Sequence, residues 1–159
     1  MGKTQIRRPH VIIVDDEPAL RNLVRRMLEP AGYIVREAHD PFDACALAES
    51  AEPLDLLVAD YRMPDLTGGE VACRIRKAKP YVKVLFITGF PDDLFDERRA
   101  LWDGESFLEK PFSKKGLLEA ASLLLFGKLN QEQFFAPESP AVLRNPFSWG
   151  FGHQTAQTH

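Results

Sequence analysis

The chain has 159 residues, a formal net charge of −3, 45% hydrophobic and 27% charged residues, which excludes wholesale disorder and gives no electrostatic footing for nucleic acid. That size suits one domain with an extension, and the two cysteines, Cys45 and Cys73, fit no metal or redox spacing and read as small core residues of helices. The apolar run Val11 to Val14 is too short for a signal-peptide core and no stretch is long enough to span a bilayer, so a reducing cytoplasm and no membrane partner are expected.

In chain order, Val11 to Val14 is a β-branched run that reads as a buried strand. Pro18 suits the first turn of a helix, and Leu20, Leu23, Val24, Met27 and Leu28 follow at helical spacing on one face. Pro30 and Gly32 stop that helix. Tyr33 to Ala38 reads as a second strand. Asp40-Pro41 is an N-cap with a first-turn proline, opening an alanine-rich helix from Phe42 to Ala51. Leu54 to Ala59 is a third strand, apolar on both faces as in a parallel sheet. Asp60 stands just past it. The segment from Asp60 to Gly69 reads as a loop, with Pro64, Gly68 and Gly69 as turn formers.

A third helix is expected over Glu70 to Lys77, and a fourth strand over Val82 to Ile87. A weakly specified helix starts at Phe90-Pro91-Asp92-Asp93 and ends near Gly104. Its charges, from Asp92 to Arg99, read as a solvated face. Ser106 to Glu109 is a short fifth strand. Ser113 caps a last helix with Leu117, Leu118, Ala121, Leu124 and Leu125 inside. Strand and helix alternate five times, which predicts an α/β fold: a parallel sheet with helices on both faces.

Chemistry-bearing residues sit where these strands end. Asp60 follows the third strand, Asp15-Asp16 the first, Thr88 the fourth and Lys110 the fifth. The carboxyl edge of an open α/β sheet is where ligands bind.

The segments VIIVDDEP from Val11, LLVADYRMPDLTGGE from Leu56, VLFITGF from Val84 and FLEKPF from Phe107 resemble a response-regulator receiver domain. The resemblance covers residues 9–126, after a lead over residues 1–8. It implies a doubly wound, flavodoxin-like (βα)5 fold with strand order 2-1-3-4-5. In that order the first and third strands are neighbours, and Asp15, Asp16 and Asp60 converge. Two carboxylates about 4 Å apart repel by about 4 kcal/mol at an effective dielectric of about 20. One lysine offsets about one such repulsion, so a divalent cation with hard oxygen ligands, Mg2+, is expected.

The resemblance further implies the roles. Asp60 is the phosphoacceptor, and Asp16, Asp60 and the backbone carbonyl of Arg62 ligate the ion, with Asp15 acting through water. Lys110 and Thr88 contact the phosphoryl oxygens, with room left beside Gly89 and a cis peptide before Pro111. Thr88 and Phe107 form the switch. Arg62 and Phe90 flank the phosphoryl group and tune its lifetime. The phosphoryl donor is a sensor histidine kinase or a phosphotransfer protein. The fourth-helix to fifth-helix face is the usual dimer surface.

Residues 127–159 lie outside the resemblance. Pro137, Pro140 and Pro146 break regular structure there, while Phe134, Phe135, Phe147, Trp149 and Phe151 favour a tail lying on the parent domain over a partner-binding arm. This segment is short for a helix-turn-helix output domain and has no basic face. Output by contact with a downstream protein is therefore expected, and not an enzyme acting on other substrates. Two rival readings stand beside this one. An adaptor would use the fold without phosphorylation, against which the intact acidic set argues. An aspartate-nucleophile phosphatase of the haloacid dehalogenase type would place its nucleophile on the first strand and its paired acids last. Here the pair comes first.

Overall fold

The computed structural model describes residues 7–97 and 101–127. Five parallel strands lie in the order β2-β1-β3-β4-β5: β1 His10–Val14, β2 Ile34–Ala38, β3 Leu56–Asp60, β4 Lys83–Thr88 and β5 Glu105–Glu109. The helices between and after them are α1 Pro18–Leu28, α2 Pro41–Glu49, α3 Gly68–Ala78, α4 Pro91–Glu97 and α5 Lys114–Phe126. The expected fold class and strand order hold.

Alternation along each strand builds two cores. Val11 and Ile13 of β1, Leu56 and Val58 of β3, and Leu85 and Ile87 of β4 face one side, against Val24 and Leu28 of α1 and Leu117 and Ala121 of α5. Ile12 and Val14, Leu57 and Ala59, and Val84 and Phe86 face the other, against Ala44 and Ala48 of α2 and Val71 and Ile75 of α3. Both faces of β3 are covered, so all five of its residues are buried. Period-2 pointing with helices on each side is why that strand is apolar as far as Ala59.

The cores fix the register, and the register sets the sheet's carboxyl edge. Val14 lies opposite Ala59, Asp60 opposite Ile87, and Thr88 opposite Glu109. The ladder continues past the strand ends, with Tyr61 N–H donating to Ile87 O at 3.1 Å and Lys110 N–H to Thr88 O at 2.8 Å.

Several local expectations are corrected. Asp60 and Thr88 are the last residues of β3 and β4 rather than the first residues after them. Gly68 and Gly69 are not loop residues but the buried first turn of α3. Thr67 caps that helix in a reciprocal box with Glu70: the Glu70 N–H donates to Thr67 Oγ1 at 3.2 Å and the Thr67 N–H to Glu70 Oε2 at 2.9 Å. Gly68 is there because its backbone presses on β3. A Cβ would stand 2.7 Å from the Asp60 carbonyl oxygen and 3.0 Å from Tyr61 Cα.

Leu23 is 44% exposed, at the rim of the α1 stripe rather than within it. Cys45 packs against the α2–α3 core, but Cys73 is exposed on α3 and not a core residue. Helix α4 spans Pro91–Glu97 and does not reach Gly104, which turns the chain into β5 with φ +81°. Arg98 and Arg99 of the charged face, and the tail expected to lie on the domain, fall outside the described residues. Among the described residues no helix is long and apolar enough to cross a membrane.

Candidate functional site

Three carboxylates meet at the carboxyl edge of β1 and β3. Asp15, Asp16 and Asp60 each offer an oxygen within 4.8 Å of the others. Asp15 is 4% and Asp60 8% exposed, while Asp16 faces solvent. Each buried acid is held by the backbone two residues on: Glu17 N–H donates to Asp15 Oδ1 at 2.8 Å, and Arg62 N–H to Asp60 Oδ1 at 3.3 Å. The Asp15 carbonyl in turn accepts from Arg21 Nη1 at 2.6 Å, tying the β1–α1 loop to α1.

Lys110 enters from the end of β5. Its Nζ is 3.5 Å from Asp60 Oδ2 and 3.9 Å from Asp15 Oδ2. The Lys110–Pro111 peptide is cis, as expected. Thr88 is buried at the end of β4, and its Oγ1 accepts the Phe90 N–H at 2.9 Å. That leaves the hydroxyl proton for an acceptor elsewhere.

The electrostatics follow from the count. Burial pushes the Asp15 carboxyl up from its ordinary 3.8 to about 6; the Glu17 N–H opposes this, the Asp60 charge adds to it, Lys110 opposes it and Asp16 adds. Burial also raises Asp60, against the pull of Lys110 and of the Arg62 N–H. One ammonium among three carboxylates leaves negative charge in a place that water reaches poorly. An all-oxygen, partly buried, negatively charged set is what a hard divalent cation of the Mg2+ type binds. The residues present therefore fit such an ion.

Of the other expected site residues, Arg62 and Phe90 follow β3 and β4 at the carboxyl edge, and Phe107 lies within β5. Arg62 and Phe90 meet each other, the guanidinium carbon lying 4.2 Å from the centroid of the Phe90 ring. Phe107 is half-buried, opposite Phe86 in the sheet, and edge-on to Phe95 of α4 with ring centroids 5.4 Å apart. One residue escaped sequence reasoning. Asp93, assigned to a solvated face, forms an ion pair with Arg62. Nothing local in sequence signals that contact, because it depends on the β3 and β4 edges lying side by side.

Fold and rim together define a flavodoxin-like (βα)5 domain with its polar groups gathered at the carboxyl edge of the sheet. The profile of the response regulator receiver domain matches residues 11–122. The chain is 39% identical over 109 residues to the transcriptional regulatory protein TrcR of Mycobacterium tuberculosis, covering 68% of this chain and 42% of that protein. It is 33% identical over 116 residues to the sensor kinase CckA of Brucella abortus, covering 72% of this chain and 12% of that one. Among solved structures, the receiver domain of the hybrid histidine kinase CckA superposes with a TM-score of 0.63 at 32% identity, covering 73% of this chain and 98% of that one. The Vibrio cholerae chemotaxis protein CheY4 superposes with a TM-score of 0.66 at 30% identity, covering 75% and 100%. The chain belongs to the response regulator receiver domain family of two-component signal transduction. It spans less than half the length of the curated relatives TrcR and CckA.

Proposed function

We propose that the chain is a phosphoacceptor: it takes one phosphoryl group onto Asp60 from the phosphohistidine of a sensor kinase or phosphotransfer protein, and signals through changed contacts with a downstream protein. The observation that carries this is the meeting of Asp15, Asp16 and Asp60 with the Lys110 ammonium at one sheet edge.

In the proposed step an Asp60 carboxylate oxygen attacks phosphorus. An O–P bond forms as the donor's bond to phosphorus breaks, and the donor leaves with the electron pair. Phosphoryl transfer asks the protein for position and charge neutralisation. The Arg62 N–H fixes the Asp60 carboxylate, and Lys110 is near enough to follow a phosphoryl oxygen as a point charge. Thr88 donates its hydroxyl to a second oxygen. Asp16, Asp60 and the Arg62 carbonyl would hold Mg2+, with Asp15 acting through water. When bound, the ion supplies the positive charge that lets the acids and an incoming phosphate share the space.

The response travels through Thr88 and Phe107. Thr88 turning toward the phosphoryl group gives up the Phe90 N–H and opens space toward Phe107, whose ring moves and alters the face made by α4, β5 and α5. That face carries Phe95, 40% exposed, and is the surface offered to a downstream protein or a second copy. The chain then catalyses only its own phosphorylation and dephosphorylation.

Incubation with acetyl phosphate and Mg2+ tests this reading. The intact mass should rise by one phosphoryl group, and Asp60→Asn should prevent the rise. An unchanged wild-type mass would favour a receiver fold used as a phosphorylation-independent adaptor.

A further inference from the structure

Arg62 is rooted beside the acceptor but its charge is spent elsewhere. Its backbone N–H lies 3.3 Å from Asp60 Oδ1, while its guanidinium lies over the Phe90 ring and pairs with Asp93. Asp93 is in the first turn of α4. Phe90, beneath the guanidinium, donates its own N–H to Thr88 Oγ1. Arg62, Phe90 and Asp93 therefore bridge from the β3–α3 loop to α4. The roots of that bridge touch Asp60 and Thr88.

A guanidinium is a planar fork that matches carboxylate and phosphate alike, and phosphate carries the greater charge. Arg62 cannot give the same N–H groups to Asp93 and to a phosphoryl group on Asp60. We propose that Asp93 is a positioning residue that holds Arg62 on the Phe90 ring and off the acceptor, and that a phosphoryl group on Asp60 takes Arg62 from it, releasing the first turn of α4. The exchange rests on Asp60 being the acceptor, and adds a route from the acceptor to α4 that does not pass through Phe107. The Arg62 and Asp93 side chains are 58% and 35% exposed, so the pair is weak enough to be exchanged.

The test is the dependence of the phosphorylation rate on acetyl phosphate concentration, with Mg2+ saturating. Acetate leaves with the electron pair as the Asp60 O–P bond forms, so the rate reports a single transfer. Asp93→Asn should free Arg62 to meet the anionic donor. The KM should fall about two- to fivefold, the factor expected for loss of a surface pair. The limiting rate should stay within about twofold, since donor binding is what changes. Asp93→Glu should restore the wild-type KM. Asp96 lines the same groove as Arg62 and Asp93, so the double variant Asp93→Asn, Asp96→Asn guards against one acid replacing the other.

The Arg62 Nε–H resonance supplies a second readout. It should move in Asp93→Asn, and in the wild type on phosphorylation. A KM unchanged in Asp93→Asn and in the double variant, or an Arg62 signal indifferent to phosphorylation, overturns the exchange while leaving Asp60 as acceptor. A wild type that takes up no phosphoryl group overturns both.

Discussion

Replacing Asp15 with Asn should stabilise the metal-free protein at neutral pH. Asp15 is 4% exposed, and burial holds its carboxyl at about 6 instead of 3.8. A carboxyl whose folded value is raised binds its proton more tightly in the folded state. Its favourable contribution is complete below pH 3.8 and is lost as pH rises through about 6. Above that range, carrying the charge costs the folded state on the order of 3 kcal/mol. Asn keeps an oxygen to accept the Glu17 N–H and removes the charge, but it also takes from Lys110 a partner at 3.9 Å. The net gain should be about 1–3 kcal/mol at pH 8 and near zero at pH 4. Urea unfolding at both pH values, in a chelator, measures it. Repeating the pH 8 series with excess Mg2+ should shrink or reverse the advantage, because a ligand of the native state stabilises most the chain that binds it most tightly. An Asp15→Asn protein less stable than wild type at pH 8 without metal would refute the reasoning that burial penalises the Asp15 charge.

Other substitutions probe the scaffold and the surroundings of Asp60. Gly68→Ala should cost about 1–3 kcal/mol in urea unfolding and slow phosphorylation, because the new methyl meets the Asp60 and Tyr61 backbone; equal stability would mean the loop yields freely. Thr67→Ala removes the acceptor of the Glu70 N–H and should cost about 0.5–2 kcal/mol, read from the denaturant midpoint at constant slope. Phe90→Ala should shorten the lifetime of the phosphorylated form, since the large exposed ring two residues past Thr88 covers one approach of water to the acyl phosphate. Identical dephosphorylation rates would remove Phe90 from that role.

Most of the site could be read before the structure because strand ends are legible. Short β-branched runs announce buried strands, and a polar residue at the end of each falls on one edge whenever the strands are parallel. Parallel strands thereby bring Asp15, Asp16, Asp60, Thr88 and Lys110 to one edge. What escaped was set by contacts distant in sequence. Gly68-Gly69 resembles a turn, and only the approach of its backbone to Asp60 explains glycine at the start of a helix. Leu23 belongs to the apolar period of α1, yet the stripe that packs is narrower than the period suggests. Asp93 sits in a run of acids that local charge patterning assigns to solvent, and its pairing with Arg62 comes from two loops of adjacent strands. Gly104 reads in sequence as a helix stop, whereas it serves the turn into β5.

The most direct measurement is the position of the phosphoryl group. After incubation with acetyl phosphate and Mg2+, borohydride reduction converts a phosphorylated aspartate to homoserine, which peptide mass spectrometry can locate. The account predicts homoserine at residue 60 and nowhere else. Homoserine at residue 15 or 16, or at no residue at all, would contradict it.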